Sequence, residues 1–339
     1  MKRIAYIDNL RCVAMILVIL LHCINPVITQ PAYYQTASWN ICILLNAFCR
    51  CGVPLFFMMS GCLLLADDET GNIEPFYKER LRRLLIPLLF WNIIFFLFSG
   101  ITDGTEISFS VFIANLINNG SYYHMWYVYS LLGIYLLAPF LKHLIDSIST
   151  KAAVLLWLII VFPSAIRPFL NHVLPVYIYL FDPLIEGYCG YFLLGYFLGN
   201  FSVKKKWRIL IYLGGVIGAV VSVVGNTAAS SSEEINLFFN LGYSITHFLI
   251  AAAIFTAARY SNVSDTETGA VRKIIYRLSA VSFGVYWVHP IFLRLLQQYL
   301  PLKLAPVQVI CIYFVIVTVF SIAVSLLISK VKILKRVLL

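Results

Sequence analysis

Ten long apolar stretches limit what this chain can fold into. A helix of about 20 apolar residues is long enough to cross a bilayer, and within lipid only helices and closed barrels satisfy every backbone polar group. The sequence therefore predicts an all-α, polytopic membrane helix bundle of about ten transmembrane helices, forming one membrane-embedded domain over residues 1–339. The predicted spans are 10–29, 38–65, 84–102, 124–142, 152–170, 183–201, 208–225, 237–258, 279–298 and 306–328.

The composition favours the same class. Of the 339 residues, 61% are hydrophobic and 12% are charged, whereas about a quarter of the residues in a soluble domain are charged. The net charge of +10 is compatible with a nucleic-acid partner, but the basic residues occur in short clusters between apolar runs. Such clusters orient membrane proteins. We therefore expect a lipid bilayer as partner and no nucleic acid.

The basic clusters also predict the orientation. They precede the first span or follow an even-numbered span, so with ten spans they all fall on one side of the membrane. The positive-inside rule makes this side the cytoplasm, with both termini there and the inner cell membrane as the expected location. A cleaved signal peptide is less favoured for the first apolar stretch, because Arg11 interrupts it and no small-x-small cleavage site follows.

The second predicted span contains an expected irregularity. It includes Gly52 and Pro54, which predict a kink or a break. Arg50 lies in mid-span just before this point, where its side chain cannot easily reach the interface. It is predicted to pair with an acid or to face a cavity, and a functional and a structural role are equally compatible with the sequence.

Two ionisable residues on one face of the first span give the main functional signal. Arg11 and His22 are eleven residues apart, which is about three helical turns plus 20°, so their side chains share a face. The helical rise separates them by about 16 Å along the axis, with Arg11 near the cytoplasmic interface and His22 near the membrane centre. Asp8 lies one turn before Arg11 and is predicted to pair with it.

This shared face has two interpretations. The plainer one is that Arg11 reaches lipid phosphates and His22 hydrogen-bonds a neighbouring helix. The functional one is that an arginine binds a phosphate at the cytoplasmic mouth while a histidine deeper in the same cavity accepts a proton from a hydroxyl. The shared face favours the functional interpretation, because the spacing suits a long, phosphate-bearing donor lying along the helix.

Several motifs resemble one known family. The segment "DNLRCVAMILVILLH", in which ten residues separate Arg11 from His22, is similar to the hallmark of the acyltransferase-3 family of membrane-bound O-acyltransferases. The resemblance continues through most of the chain in the same order. The further segments are "GVPLFFMMSGCLL" at 52–64, "KERLRRLLIPLLFW" at 78–91, "HMWYVYSLLGIYLLAP" at 124–139, "FLLGYFLG" at 192–199 and "SFGVYWVH" at 282–289.

The resemblance implies a stand-alone O-acetyltransferase. Such an enzyme moves an acyl group, usually acetyl, from a cytoplasmic coenzyme A thioester to a hydroxyl of a surface glycan or lipid-linked sugar. Acetyl-CoA is then the acyl donor and co-substrate, and no metal is expected. Two alternative classes remain: a membrane-embedded sensing or binding module, and a transporter or exporter of a lipid-linked sugar or other small molecule. Transporters often carry paired broken helices, and the sequence shows no such pairing.

Candidate residues for the chemistry lie in several spans. His22 is the predicted general base, and His289, at a similar depth in the ninth span, is the second candidate. Ser60 and Tyr127 are candidate donors to the thioester oxygen, as are Tyr286 and Trp126. Arg11, Arg80 and Arg83 are predicted to bind the coenzyme A phosphates; for Arg80 and Arg83 the plainer alternative is positive-inside charge.

Candidate residues for the acceptor lie on the outer side. Asp182 and Glu186, four residues apart at the start of the sixth span, share a face and are predicted to bind sugar hydroxyls, although ordinary water-facing acids fit equally well. His124 and Trp126 are predicted to line the acceptor entrance. The remaining histidines are expected to be interfacial or packing residues: His143, His172 and His247.

Overall fold

The chain folds into helices, as its apolar stretches predict. The computed structural model describes residues 3–118, 120–174, 187–261 and 269–331, and within these ranges the backbone forms helices and no strand. The prediction of an all-α protein is therefore confirmed for this part of the chain. The α-helices are α1 (Ala5–Ile28), α2 (Ala37–Cys49), α3 (Gly52–Leu64), α4 (Ile73–Phe76), α5 (Arg82–Thr102), α6 (Phe109–Ile117), α7 (Trp126–Ser147), α8 (Thr150–Val161), α9 (Arg167–Val173), α10 (Tyr188–Asn200), α11 (Lys205–Ala229), α12 (Ile245–Arg259), α13 (Ala270–Tyr299) and α14 (Pro306–Lys330).

Nine helical segments in the described ranges are long and apolar enough to cross a bilayer. They match nine of the ten predicted spans to within a few residues at most ends, so a multi-pass membrane protein is confirmed. The remaining prediction, 183–201, corresponds to α10, and the residues just before α10 lie outside the described ranges. The nine segments are Ala5–Ile28, Ala37–Leu64, Ile73–Thr102, Trp126–Ser147, Thr150–Val173, Lys205–Ala229, Phe238–Arg259, Ala270–Tyr299 and Pro306–Lys330.

The predicted irregularity in the second span lies where the sequence places it. Helix α2 ends at Cys49 and α3 begins at Gly52. Pro54 has no N–H to bond the carbonyl of Arg50, four residues earlier, so the ladder of backbone hydrogen bonds is interrupted here. Arg50 and Cys51 therefore form a break between two helices in the middle of a membrane-spanning segment.

Small residues allow α3 to pack closely against α10. Gly195 and Gly199 lie one turn apart on α10, where a Cβ would collide with the Met58 carbonyl and with the side chain of Cys62. Gly61 of α3 meets the backbone of Phe192 in the same way. Two helices with such small-residue contacts approach backbone to backbone, which is how helices associate when lipid leaves no hydrophobic driving force. The contact fixes α3 beside α10.

The contacts divide the chain into two compact units. The first contains Met1–Ala66 and Thr150–Ile322, and the second contains Asp67–Ser149 and Ala323–Leu339. In the first unit, α1 packs against α2, α3, α12 and α13, so it is surrounded by helices that can share a site with it. The assignment of 1–339 to a single domain stays a prediction.

A buried cation organises the second unit. The amino group of Lys142 on α7 is 8% exposed and lies 2.6 Å from a carboxylate oxygen of Asp146 and 3.3 Å from one of Asp68. The neighbouring His143 Nε2 lies 2.9 Å from the carbonyl of Gly71. These contacts attach the short turn at residues 68–71 to α7, and this turn leads into the arginine-bearing segment before α5.

Candidate active site

Two contacts fix the register between α1 and α3, which run antiparallel. At one end, the Tyr6 hydroxyl lies 3.4 Å from the Cys62 sulfur. Further along, a Cβ on Gly52 would lie 2.8 Å from Val18 Cγ2, so the two helices cross closely there. In both contacts the two residue numbers add up to about 68–70. In antiparallel helices this sum stays nearly constant, so a residue of the second segment lies at the same height as the α1 residue whose number completes the sum.

This register places three polar residues at known levels along α1. Arg50 lies level with Val18, about one turn from His22. Asn46, one turn earlier on α2, lies level with His22 itself. Ser60 lies near the level of Asp8, about 20 Å from that of His22 at 1.5 Å per residue. The structure therefore brings Arg50 and Asn46 towards the histidine, and it does not bring Ser60 there.

His22 and His289, predicted to lie at similar depth, are in contact. Their ring centroids are 5.2 Å apart and the ring planes are 30° from parallel, so the imidazoles stack. His289 is fully buried, whereas His22 keeps part of its surface accessible. Two imidazolium charges at this separation would repel each other, so the pair is suited to take up one proton at a time.

A proline fixes the protonation pattern of His289. Pro290 lies inside α13 and has no N–H to offer to the carbonyl of Tyr286. His289 Nδ1 takes this place: it lies 2.8 Å from the Tyr286 carbonyl and 3.1 Å from that of Val285. Because both partners are acceptors, Nδ1 must carry the proton of the neutral ring, and the lone pair is on Nε2.

Arg11 lies at the other end of the face that carries His22. Its side chain is 37% exposed, and its guanidinium lies 3.9 Å from a carboxylate oxygen of Asp8, as the spacing predicts. Val13, about 200° around α1 from Arg11, is 42% exposed, so the face shared by Arg11 and His22 points towards neighbouring helices. The arginine is thus both held by a carboxylate and accessible to a ligand.

The sequence did not predict how strongly Asp8 is held. Its carboxylate is 2% exposed and accepts hydrogen bonds from Ser279 at 2.5 Å and Arg3 at 3.1 Å. Arg272, which is 3% exposed, lies 3.8 Å away and donates to Asn9 at 2.7 Å. Arg272 sits in a basic cluster that indicated orientation only, and nothing local in the sequence reveals that it folds back onto α1. One carboxylate among three guanidinium groups leaves this end of α1 positively charged.

Arg80 and Arg83 belong to the second unit. Arg80, 28% exposed, lies 3.9 Å from Asp67, and Arg83, 66% exposed, lies 2.7 Å from Glu79. The exposed Arg83–Glu79 pair contributes little free energy, and the half-buried Arg80 lies 3.9 Å from its carboxylate, beyond hydrogen-bond distance. Both side chains can therefore exchange these partners for a stronger anion. Their predicted role in donor binding stays a prediction.

The predicted acceptor residues are only partly described. His124 is 2% exposed in the second unit, with its ring 4.8 Å from that of Phe95 and 5.9 Å from that of Tyr122. Trp126 and Tyr127 begin α7 directly after it, with Tyr127 buried. Asp182 and Glu186 lie outside the described residues. His124 therefore sits among aromatic rings at the start of α7.

These observations define a class of protein: a multi-pass, all-α membrane protein with a stacked histidine pair between its spans and a positive group further along the same helix face. A family model described as an acyltransferase domain matches residues 4–330. The chain belongs to this family, acyltransferase-3, as its motifs predicted, and it is a membrane acyltransferase.

Individual relatives are distant. YfiQ of Bacillus subtilis (strain 168), a protein provisionally named as a membrane-bound acyltransferase, is 22% identical over 314 residues, which cover 86% of this chain and 81% of that protein. A serine/alanine racemase of Enterococcus gallinarum is 32% identical over 146 residues, which cover 40% of this chain and 20% of the racemase. No solved structure gives a significant match.

Proposed function

We propose that this acyltransferase moves an acetyl group from acetyl-CoA, bound on the cytoplasmic side, to a hydroxyl of a surface glycan or lipid-linked sugar. The proposal includes the inner cell membrane as location, with both termini in the cytoplasm. The observation that supports it best is the stacked pair of His22 and His289, because its first member shares a helix face with Arg11. A proton acceptor and a phosphate-binding group on one face are what transfer from a coenzyme A thioester requires.

In the proposed reaction His22 is the general base. The acceptor hydroxyl oxygen forms a bond to the thioester carbonyl carbon as His22 takes its proton, and the carbonyl electron pair moves onto oxygen. The resulting tetrahedral anion collapses, which restores the C=O bond and breaks the C–S bond. The leaving thiolate takes the proton from the imidazolium, so His22 returns to its starting state. His289, held by two backbone carbonyls, keeps the His22 ring in place.

The donor is proposed to lie along α1. Arg11 binds its phosphates, and the positive charge gathered around Asp8 supports binding of an anion at this end. Charge-assisted hydrogen bonds from guanidinium groups suit phosphate oxygens, and Arg80 and Arg83 are proposed to add to them. Ser60, level with Asp8, fits a contact to the donor better than the thioester-oxygen role that the sequence suggested.

The acceptor is proposed to enter from the opposite side of the membrane. His124 and Trp126 are proposed to contact it, with Tyr127 beside them at the start of α7. Asp182 and Glu186 remain candidates for hydrogen bonds to sugar hydroxyls. The chemistry common to these groups is recognition of hydroxyls by donors and acceptors.

Radiolabelled acetyl-CoA provides a direct test. The purified full chain in lipid nanodiscs is incubated with the labelled donor and a glycan fraction from the host cell envelope. We expect label in the glycan, release of free coenzyme A thiol, and a mass gain of one acetyl group. The proposal is contradicted if label transfer and thiol release both stay at the background of a His22→Gln, His289→Gln double variant. Movement of a lipid-linked sugar without acetylation would indicate a transporter.

A further inference from the structure

Arg50 is a half-buried cation that the mechanism above does not use. It caps α2 at the break before α3, in the middle of a membrane-spanning segment. Its Nε is buried and makes no hydrogen bond, and within the described residues no carboxylate pairs with it. A cation at this depth costs several kcal/mol unless it has a partner or a polar surrounding. The sequence left its role open between an ion pair and a site.

Asn46 repeats this pattern one turn earlier on the same helix. It is 0% exposed, and neither its amide nitrogen nor its amide oxygen has a hydrogen-bond partner. Burying an amide without partners costs roughly 1–3 kcal/mol. Leu44 and Phe48, on the opposite face of α2, are 52% and 41% exposed. Asn46 and Arg50 therefore face the neighbouring helices, and both present unused hydrogen-bonding atoms there.

The level of these two residues matches that of the reacting groups. By the register with α1, Asn46 lies level with His22 and Arg50 about one turn towards Arg11. A donor whose phosphates bind Arg11 and whose acyl group reaches His22 would lie beside Arg50, about one helical turn from the acyl group. This is where the carbonyl oxygen of the thioester lies in the proposed reaction.

We propose that Arg50 and Asn46 form the site that binds the oxygen anion of the tetrahedral intermediate. The assignment rests on the proposed function, since the anion forms only when a hydroxyl attacks a thioester carbonyl. The guanidinium and the amide N–H group donate to the oxygen as its negative charge develops, and the bonds weaken again when the C–S bond breaks and the carbonyl is restored. Donors fixed in advance around such an oxygen stabilise the transition state more than the bound substrate.

The test compares catalysis with binding in Arg50→Ala. We expect kcat for labelled acetyl transfer to the host glycan fraction to fall about 100- to 1,000-fold. The affinity for coenzyme A and the KM values should change by less than about threefold, because this bond forms only in the transition state. Guanidinium ion added at millimolar concentration should restore part of kcat in Arg50→Ala. Asn46→Ala should lower kcat by about tenfold, the effect of one neutral hydrogen bond.

The matched control is Arg82→Ala, which removes an exposed arginine outside the site. It should keep kcat, and guanidinium should not affect it. If Arg50→Ala fails to fold, Arg50→Lys gives the same test: a point charge lacks the planar fork of arginine, and kcat should fall at least about tenfold with coenzyme A affinity retained.

Three results would overturn the assignment. Unchanged kcat in a folded Arg50 variant would show that no anion is bound there. A raised KM for the glycan with unchanged kcat would show that Arg50 binds a permanent anionic group of the acceptor instead. If Arg50→Ala folds and binds coenzyme A but guanidinium does not restore its kcat, the role of Arg50 is structural. If the unaltered protein transfers no acetyl, the proposed function fails first and the assignment falls with it.

Discussion

Replacement of His22 by Gln separates proton transfer from packing. Glutamine has a similar reach and keeps a hydrogen-bonding group, but it cannot accept a proton at neutral pH. Positioned proton transfer contributes about 10²–10⁴ in rate. The neighbouring His289 lies 5.2 Å away with a lone pair on Nε2, so it can take the proton with poorer geometry. We therefore expect about a 100-fold loss of kcat in His22→Gln, a barrier about 2.7 kcal/mol higher.

The double variant His22→Gln, His289→Gln removes this substitute base. We expect its loss to approach 10⁴-fold, about 5.4 kcal/mol in the barrier, which exceeds the effect of either single change. Residues in contact commonly show this kind of coupling. Coenzyme A affinity should stay within about threefold of the original, because the phosphates bind at Arg11, about 16 Å away along α1.

The assay is the initial rate of labelled acetyl transfer in nanodiscs, with calorimetric titration of coenzyme A as the binding measurement. His172→Gln is the control: this histidine is exposed and stacks on Phe238, away from the proposed site. It should keep its rate. A His22→Gln protein within threefold of the original rate would refute the assignment of the base, and His289 would then take that role if its own Gln variant is inactive.

Three further predictions concern the donor end, the topology and the stability. Arg11→Ala, Arg80→Ala and Arg83→Ala should each weaken coenzyme A binding by about tenfold or more in calorimetry, since a charge-assisted hydrogen bond is worth roughly 1.5–3 kcal/mol; three unchanged affinities would leave these residues as orientation signals. A cysteine at Ser232, exposed after α11, should react with an impermeant thiol reagent from outside intact cells in a cysteine-free background, and labelling only after lysis would contradict the orientation. Asp8→Asn should lower the free energy of unfolding by about 3–5 kcal/mol, because it leaves a buried guanidinium without its carboxylate; an unchanged thermal midpoint would contradict this.

The sequence predicted what depends on local pattern. Apolar length predicts a transmembrane helix, so the spans follow from the sequence, and the break between α2 and α3 follows from Gly52 and Pro54. The pairing of Asp8 with Arg11 follows from helical spacing. The closeness of His22 and His289 was suggested only by their similar depth in the bilayer. This depth follows from the sequence, because it depends on how far each residue lies along its span.

What the sequence could not supply is which helices are neighbours. Arg272 forms an ion pair with Asp8, more than 260 residues away in the sequence. Its position in a basic cluster was already explained by membrane orientation, so nothing in the sequence indicated this pair. Asn46 lies in an apolar stretch and gave no functional signal. Ser60 was a candidate donor to the thioester oxygen, and only the register of α1 against α3 places it near the level of Asp8.

Three prolines of the first unit determine which backbone carbonyls of the helices lack their usual hydrogen bond. Pro26, Pro54 and Pro290 each stand four residues after a carbonyl that they cannot bond: those of His22, Arg50 and Tyr286. Hydrocarbon tolerates such carbonyls only where another donor meets them, and His289 supplies one of these donors. The positions of these carbonyls are therefore a property of the backbone, whatever side chains surround them. A variant with every ionisable side chain of the site replaced by an apolar one would keep the Tyr286 carbonyl in the middle of the membrane and remove the donor that now meets it.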